Sequence, residues 1–527
     1  MPKPRLILAI ALLVGMALRI PGIFWGQIDR REGIVLEPDE FQHIALAADY
    51  VHRWGGEPGQ EIPYRFWNTR AFGLQLGGVI YLADKLGFEV SYLTKHALLG
   101  RFLSVFYALL LIICVFQLGK LLFDDALIGA FAAMLFAVFD LHVTYSHYAL
   151  PASAYLFWTH LSLLLLFRYY LHLSGQKMIE HLARWEMLLG ASLAMVFGLK
   201  FDFLPFFLLG LMLIICWRQG YIKLSSVLLR GFRVGVVALL SFLVIHGFAF
   251  SWEDLSYSFQ VAQGFNENAI PQDNHWVDNP ILYLFALIGG TSVWVVGLAL
   301  GGISKMLRQG RTLFHSHPIW LLLFLFVSME FAVRWFLDTP FIRRANIFLP
   351  FLAIMASYYS RQFWKRPSNR SYWIMGLLCL YTFGITFFGQ YNFWKDTRYQ
   401  ALASLSEVTP ETKIYYSTYG KVPGMPEANV SAPADADLLI VHETYYGRYW
   451  KYYTTPFKVP SCCEEVYNCA SEELCLFYQD LLSEESAFEL QNTYETYHPF
   501  PERLLFKHLF GTYETFLGDL RIYKRVE

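Results

Sequence analysis

The chain has 527 residues, of which 55% are hydrophobic and only 16% are charged, well below the roughly 25% charged residues of a typical soluble domain. Its formal net charge is -1 at pH 7, so no basic excess points to a nucleic-acid partner. Long uncharged apolar runs recur, each close to the ~20 residues that cross the hydrocarbon core of a bilayer. The composition therefore excludes an ordinary soluble protein and indicates a polytopic α-helical membrane protein.

The first apolar segment follows Lys3 and Arg5 and has no convincing small-residue cleavage site, so we interpret it as a retained signal-anchor helix. The predicted spans are residues 6–25, 97–118, 125–142, 150–171, 185–200, 201–217, 231–250, 280–302, 318–337, 344–361 and 371–390. Basic residues between these eleven spans fall on one side, which the positive-inside rule assigns to the cytoplasm. The N-terminus is therefore predicted inside the cell and the C-terminus outside.

The first outer loop, residues 26–96, contains an acidic motif with the sequence EPDEFQH at residues 37–43. Its proline suits the first turn of a helix, which places Asp39 and Glu40 near the positive end of the helix dipole. His43 lies one turn further on the same face and is a candidate substrate contact. The motif indicates either a solvated helix cap or a carboxylate at the membrane surface that removes a proton from a sugar hydroxyl.

The second half of this loop, residues 72–86, is apolar but interrupted by glycines and an aspartate. It is a weak candidate for a membrane span. We expect it to form an amphipathic helix that lies along the interface.

Cations also lie at the predicted outer ends of spans, where the positive-inside rule disfavours them. Lys200 is at the junction of the fifth and sixth spans, and Arg343 and Arg344 begin the tenth. These side chains could snorkel or pair with Asp202 and Asp338. Together they could instead bind a phosphate, because arginine matches phosphate geometry bidentately and neutralises a phosphate leaving group.

The predicted outer turn between the third and fourth spans contains Asp140 and His147. Ionisable residues at the edge of a membrane are functional candidates by default, although each could simply bond to a neighbour. Both are candidate substrate-binding residues. Glu330 and Arg334, one helical turn apart in the ninth span, are expected to pair with each other.

The composition changes after residue 395, which divides the chain into a membrane domain, 1–395, and a polar tail, 396–527. Runs at 413–417, 438–441 and 520–523 are typical of strands. They predict a small outer α/β domain, with helical stretches at 396–408 and 471–482 packed on its sheet.

Four of the seven cysteines lie in the tail, and their spacing lacks the C-x2-C pairs of a zinc site. An outer compartment permits disulfides, so one or two bridges are expected among them. These residues are Cys462, Cys463, Cys469 and Cys475. The other three cysteines fall in predicted spans and are interpreted as small core residues.

Several motifs in order give the chain a resemblance to the GT-C superfamily of glycosyltransferases. It resembles the phospholipid-carrier-dependent branch, which is related to protein O-mannosyltransferases and lipid A aminoarabinose transferases. The motifs are Pro38-Asp39-Glu40, Leu99–Ser104, Tyr145–Pro151, Gly198–Phe201 and Arg344–Phe351. The acidic motif is also similar to the His-Pro-Asp-Glu of mannosyltransferases that build glycolipid anchors, although Glu37 replaces that histidine.

The resemblance implies a GT-C fold with about eleven transmembrane helices and transfer of a sugar from a polyprenyl-phosphate donor with inversion. Asp39 would act as the base on the acceptor hydroxyl, and Glu40 would orient the acceptor or the loop. The departing lipid phosphate would be held by Arg343, Arg344 and Lys200. His147 would contact the sugar or the phosphate.

The implied partners are the polyprenyl-phosphate sugar, membrane lipids and a lipid, glycan or protein acceptor of a cell-envelope glycan pathway. The implied location is a prokaryotic plasma membrane. Relatives with such donors commonly need no metal, so no cofactor is assigned, while a divalent cation at the carboxylates is left open.

Two alternatives come from other classes. A lipid-linked glycan flippase or transporter also needs intramembrane charges, but no internal repeat of the kind common in transporters is found. An O-antigen polymerase or ligase handles similar lipids but usually places its key arginines in a late outer loop, whereas the informative motif here comes first. The transferase interpretation is favoured over both.

Overall fold

The computed structural model describes residues 3–26, 38–55, 70–90, 93–200, 202–245, 275–316, 318–336, 342–364, 369–405, 408–443, 476–510 and 517–526, with short gaps at 410, 418, 479, 482 and 484–485. Most of the described residues are helical. The four tail cysteines and Asp338 lie outside these ranges, so the predictions made for them stay predictions.

The helices follow the apolar runs of the sequence, with a four-stranded sheet after them. They are α1 (Pro4–Arg19), α2 (Pro38–Trp54), α3 (Arg70–Lys85), α4 (Leu93–Phe123), α5 (Ala126–Ala137), α6 (Asp140–Tyr145), α7 (Ala152–Leu173), α8 (Leu182–Lys200), α9 (Leu204–Arg218), α10 (Leu224–Ile245), α11 (His275–Gly290), α12 (Val293–Ser316), α13 (Pro318–Phe336), α14 (Leu349–Trp364), α15 (Asn369–Trp394), α16 (Thr397–Ala401) and α17 (Pro501–Phe510). Short 3-10 segments at Pro21–Phe24 and Ile342–Phe348 follow α1 and precede α14.

Length and apolar composition qualify four of the described helical segments as membrane spans: Pro4–Phe24, Leu93–Phe123, Leu182–Lys200 and Leu224–Ile245. A fifth is added if the bent pair Pro280–Gly290 and Val293–Arg308 counts as one span. The chain thus has apolar helices of membrane-spanning length, while the number eleven stays a prediction.

The prediction of one continuous span at 280–302 is wrong. The helix breaks after Gly290, and its two halves meet at 115°. Thr291 donates its hydroxyl to the carbonyl of Leu287 at 2.7 Å, and the Ser292 hydroxyl accepts the amide of Val295 at 3.2 Å. These bonds cap one helix and begin the next, a local effect that apolar composition does not reveal.

The helix predicted over 72–86 is confirmed as α3, which packs against α2. Gly73 permits this packing, because a Cβ there would lie 2.7 Å from the side chain of Leu46 in α2. Helices α4 and α5 approach equally closely, since a Cβ on Gly129 would lie 2.3 Å from the carbonyl oxygen of Phe116. Small residues at such contacts are typical of helix packing in membranes.

The three strands predicted in the tail are confirmed as β1 (Ile414–Tyr416), β2 (Leu438–His442) and β4 (Leu520–Arg525). A further strand, β3 (Phe488–Tyr494), completes a sheet of order β1-β2-β4-β3 in which β1 and β2 are parallel. This edge strand was missed because it is mostly polar and exposed, as edge strands commonly are.

The two faces of the sheet bury separate cores. Ala401 and Leu405 pack with Ile440 on one face, while Tyr478 and Leu481 pack on the other. The described parts of the stretches 396–408 and 471–482 therefore pack on the sheet as predicted. That the tail is an independent domain stays a prediction.

The tail is tied to the membrane helices by a buried group at the boundary predicted near residue 395. Asp396 accepts the Trp25 indole N–H at 2.7 Å and pairs with Arg398 at 2.6 Å, with both charged side chains 1% exposed. Arg398 also lies over the Trp25 ring, 5.3 Å from its centroid. Since neither charge is accessible to water, each depends on the other for its stability.

We expect Asp396→Asn to destabilise the protein by about 3–5 kcal/mol, because it leaves the buried Arg398 charge without its counterion. The measurement is the thermal unfolding midpoint of the purified protein in detergent. Glu427→Gln is the control, because Glu427 pairs with Lys421 but its side chain is 81% exposed, and surface pairs contribute little. Equal midpoints for the two variants would contradict the prediction.

Candidate active site

Residues 38–43 of the acidic motif begin α2, as predicted from the proline. Asp39 and Glu40 are both in the first turn of α2, near the positive end of the helix dipole. They occupy different environments, because Glu40 is fully buried while the Asp39 side chain is 40% exposed. The two adjacent carboxylates therefore differ in their access to solvent.

Glu40 lies in a dense buried network. Its two oxygens accept Arg101 Nε at 2.7 Å and Nη2 at 2.6 Å, and one of them also accepts the amide of Ala149 at 2.6 Å. Arg101 donates its Nη1 to the carbonyls of Ile23 and Trp25. These contacts fix α2 against α4 and the turn before α7. They suit the predicted role of orienting the loop, and burial keeps Glu40 away from an acceptor.

Asp39 forms an ion pair with Arg343, with Oδ2 and Nη1 2.6 Å apart. Arg343 is in the 3-10 segment before α14, 304 positions along the chain. Both side chains stay partly open to solvent, 40% and 33% exposed. The predicted base and a predicted phosphate ligand are therefore in direct contact at an accessible position.

His43 lies beside this pair but is buried, with its ring 5.7 Å from that of Phe72 in an edge-to-face contact. Burial lowers the pKa of His43 to about 4, with Asp39 opposing the shift and Arg343 adding to it. The imidazole is therefore neutral near pH 7 and packs against Phe72.

The structure does not bring His147 to the same place. It is fully buried against Phe393, with ring centroids 5.0 Å apart. Burial lowers the pKa of His147 to about 3, with further lowering by the charges of Arg19 and Arg101. In this arrangement His147 is not reachable by a sugar or a phosphate.

Asp140 is also fully buried and is occupied by protein groups. It accepts Gln390 Nε2 at 3.0 Å and forms an ion pair with Arg503 of α17. The predicted substrate-binding carboxylate therefore joins α6 to the tail. Arg503 was missed by the sequence reasoning, which had no means of relating the tail to this turn.

A cluster of charged and phenolic groups does lie near Asp39, at the end of α8. Lys200 has an exposed side chain with its ammonium 4.7 Å from the ring centroid of Tyr155, whose hydroxyl donates to Asp202 at 2.7 Å. The predicted pair Glu330–Arg334 is confirmed at 2.7 Å.

The cations of this cluster share one electrostatic environment. Lys200 interacts with Arg334, Arg343 and Arg344 as well as with Glu330, and Tyr283 interacts with Arg334 and Arg344. Three cations that were predicted separately, Lys200, Arg343 and Arg344, therefore lie close enough to influence one another electrostatically. Arg334 was not predicted to belong to this cluster. Its position as a charged residue within an apolar span could have marked it as a functional candidate.

Within the described ranges, no three His, Cys, Asp or Glu residues are grouped as metal ligands. One group in contact with Asp39 is the guanidinium of Arg343, which does not ligate cations. The possible divalent cation stays a prediction. The arrangement itself offers a carboxylate base beside a cationic surface, a combination suited to displacing a phosphate with a hydroxyl.

Comparison with known proteins matches part of the sequence to a protein family. Residues 74–251 match PMT, the dolichyl-phosphate-mannose-protein mannosyltransferase family. No curated protein is similar enough in sequence to count as a relative.

Several solved structures are similar to this chain. The Archaeoglobus fulgidus oligosaccharyltransferase AglB, in complex with an inhibitory peptide and a dolichol-phosphate, has a TM-score of 0.53 and 12% identity over 99% of this chain and 88% of the archaeal one. An apo crystal structure of the A. fulgidus enzyme has a TM-score of 0.51 and 13% identity over 77% of this chain. This chain spans only 58% of that one's length.

ArnT from Cupriavidus metallidurans, bound to undecaprenyl phosphate, has a TM-score of 0.46 and 13% identity over 84% of this chain and 93% of its own. The PMT match and the fold shared with the archaeal enzyme confirm the resemblance predicted from the motifs. Residues 74–251 thus match the PMT family, and the chain has the fold of the archaeal oligosaccharyltransferase.

Proposed function

We propose that this protein is an integral membrane glycosyltransferase that uses a polyprenyl-phosphate-linked sugar. The observation that carries this proposal is the accessible Asp39 carboxylate 2.6 Å from Arg343, which shares an electrostatic environment with Arg344, Arg334 and Lys200. The similar archaeal AglB structure is a complex with a dolichol-phosphate, which supports a lipid-phosphate donor here.

In the proposed reaction, Asp39 accepts the proton of the acceptor hydroxyl as its oxygen attacks the anomeric carbon. The bond from that carbon to the phosphate oxygen breaks, and the electron pair leaves with the lipid phosphate. Arg343, Arg344 and Lys200 neutralise the charge that develops on the phosphate. Attack opposite the leaving group inverts the configuration, so one base suffices.

The contact between Asp39 and Arg343 supports a proposed order of binding and proton transfer. In the free protein, Arg343 is paired with the carboxylate of Asp39, which must act as the base. The donor phosphodiester carries one negative charge, as a carboxylate does, and offers the same bidentate geometry to a guanidinium. Its negative charge increases as the bond to the sugar breaks and the lipid phosphate leaves. We infer that donor binding draws Arg343 to the phosphate and frees Asp39 to meet the acceptor.

Location and acceptor follow from the same proposal. We place the protein in a prokaryotic plasma membrane with the N-terminus in the cytoplasm and both Asp39 and the tail outside. The acceptor is a hydroxyl on a lipid, a glycan or a protein of the cell envelope, and the sugar is a hexose or a pentose.

A transporter of lipid-linked sugars is the second candidate. It is favoured by the 115° break between α11 and α12, because broken helices are common at transporter binding sites. A transporter would move the lipid-linked sugar without breaking its bond to phosphate, so a transfer assay separates the two functions.

We expect Asp39→Asn to lower sugar transfer by at least about a hundredfold, since a general base contributes roughly that much or more. The measurement is incorporation of label from a panel of radiolabelled polyprenyl-phosphate sugars into membrane acceptors. Asp84→Asn is the matched control, because Asp84 is exposed near the end of α3, outside the cluster.

Near-normal transfer by Asp39→Asn would contradict the assignment of the base. Absence of label from every donor with the folded wild-type protein would instead favour the transporter.

Removing a cation should affect the donor more than the acceptor. We expect Arg343→Gln and Arg344→Gln each to raise the donor KM about tenfold, the loss expected for one charge-assisted hydrogen bond, with little change in the acceptor KM. Initial rates at varied concentrations of each substrate measure the difference.

Arg361→Gln is the control for these variants. Arg361 pairs with Asp125 at 2.8 Å near the other end of α14, so it tests the loss of an equivalent ion pair far from the cluster. An unchanged donor KM in both cluster variants would show that these arginines are structural.

A further inference from the structure

A second candidate binding site lies at the other end of the helices from Asp39. A cavity of about 720 Å³ opens where α4 and α7 end and α8 begins. We call it the α4–α7–α8 cavity, with Lys120, Arg168 and Arg184 among its lining residues. Along α4, Lys120 is about 28 Å from Arg101, the partner of Glu40, at the usual rise of a helix. Its ligand therefore cannot meet the candidate active site.

The charges of the cavity favour an anion. Four basic side chains line it, and the two acidic ones, Asp124 and Glu180, have exposed positions. Lys177 is 3.6 Å from Asp124, but their side chains are 58% and 91% exposed, so this pair is weak and easily exchanged. The basic excess is consequently available to a ligand.

Arg168 is held in place before any ligand arrives. The half-buried guanidinium donates to Gln117 Oε1 at 3.2 Å and lies over the Trp185 ring, 5.8 Å from its centroid. Among the described residues no carboxylate pairs with Arg168. A fixed arginine of this kind offers bidentate donors to a phosphate at little cost in side-chain order.

The wall of the cavity is also preformed. In the loop after α7, the amides of Gln176 and Lys177 both donate to the carbonyl of Leu171, at 2.9 Å and 3.0 Å. The amide of Ile179 donates to His172 Nδ1 at 3.0 Å. These bonds hold the loop over the end of the helix and define one side of the opening.

The remaining lining is apolar and continues onto the outer surface of the helices. Leu121 and Leu171 line the cavity beside Leu188, which is 56% exposed, and Met178, which is 85% exposed. A tryptophan with lysines and arginines around it is typical of the membrane–water interface. The cavity thus combines a cationic part with an apolar flank, which suits an amphipathic anion.

We propose that the α4–α7–α8 cavity binds the phosphate headgroup of an anionic membrane lipid. Arg168 and Arg184 contact the phosphate, Lys120 and Lys177 add to the attraction, and the acyl chains follow the exposed leucines. Basic pockets between membrane helices bind anionic headgroups by this chemistry. By the orientation predicted from the basic loops, the lipid belongs to the cytoplasmic leaflet, opposite the proposed donor site.

The test is native mass spectrometry of the full-length protein in detergent, titrated with phosphatidylglycerol, with phosphatidylcholine of the same acyl chains, and with inorganic phosphate. We expect phosphatidylglycerol to bind at least about tenfold more tightly than phosphatidylcholine. Arg168→Gln and Arg184→Gln should each lower the affinity for phosphatidylglycerol about tenfold, the effect of losing one charge-assisted hydrogen bond.

Arg218→Gln is the matched control, because Arg218 is an exposed arginine at the end of α9 and does not line the cavity. The Arg218→Gln variant should bind phosphatidylglycerol with the same affinity as the wild type. Arg184 is exposed, so Arg184→Gln remains informative if the half-buried Arg168 is needed for folding.

Equal affinity for the two lipids, or unchanged phosphatidylglycerol binding in Arg184→Gln, would overturn the proposal. Arginine-dependent binding of inorganic phosphate with no preference between the lipids would identify a site for a soluble anion, which also overturns the assignment to a lipid.

Discussion

The buried pair of Glu40 and Arg101 determines where the candidate active site can be. Removing both charges from water costs several kcal/mol for each ion and is tolerated only when the hydrogen bonds are nearly complete. Here the pair also binds the amide of Ala149 and the carbonyls of Ile23 and Trp25. Four separated segments, which contain Trp25, Glu40, Arg101 and Ala149, must therefore meet in one geometry for the pair to be stable. Asp39 directly precedes Glu40 in the helix, so the buried pair of its neighbour sets its position.

Other buried polar contacts extend this framework to the tail. Arg19 of α1 meets His142 Nδ1 at 2.8 Å, and Asp140 joins Gln390 and Arg503. Several polar residues near the motif are thus committed to protein partners. Asp39, Arg343, Arg344 and Lys200 are instead partly or fully exposed to solvent. Burial thus separates the residues of the polar framework from the exposed residues of the candidate site.

The sequence predicted features that depend on short distances along the chain. The start of α2 follows from its proline and acids, and Glu330 with Arg334 follows from the spacing of one helical turn. Asp39 and Arg343 are 304 positions apart, and only the packing of the helices decides that they touch. The break at Thr291 was missed for the opposite reason, because two side-chain hydrogen bonds end a segment that is apolar on both sides.

The two neighbouring acids thus form ion pairs of opposite kinds. The Glu40–Arg101 pair is fully buried, so breaking it would expose each charge to a medium that cannot solvate it, at about 3–5 kcal/mol. The Asp39–Arg343 pair keeps 40% and 33% of its side chains exposed, and pairs in contact with water are worth only about 0–1 kcal/mol. Water can therefore solvate either partner while the other moves. A phosphate that enters the cationic cluster competes for Arg343 against a weak contact, whereas Arg101 stays bound. An ion pair at Glu40 therefore fixes the helix, while an ion pair at the neighbouring Asp39 can act as an exchangeable contact.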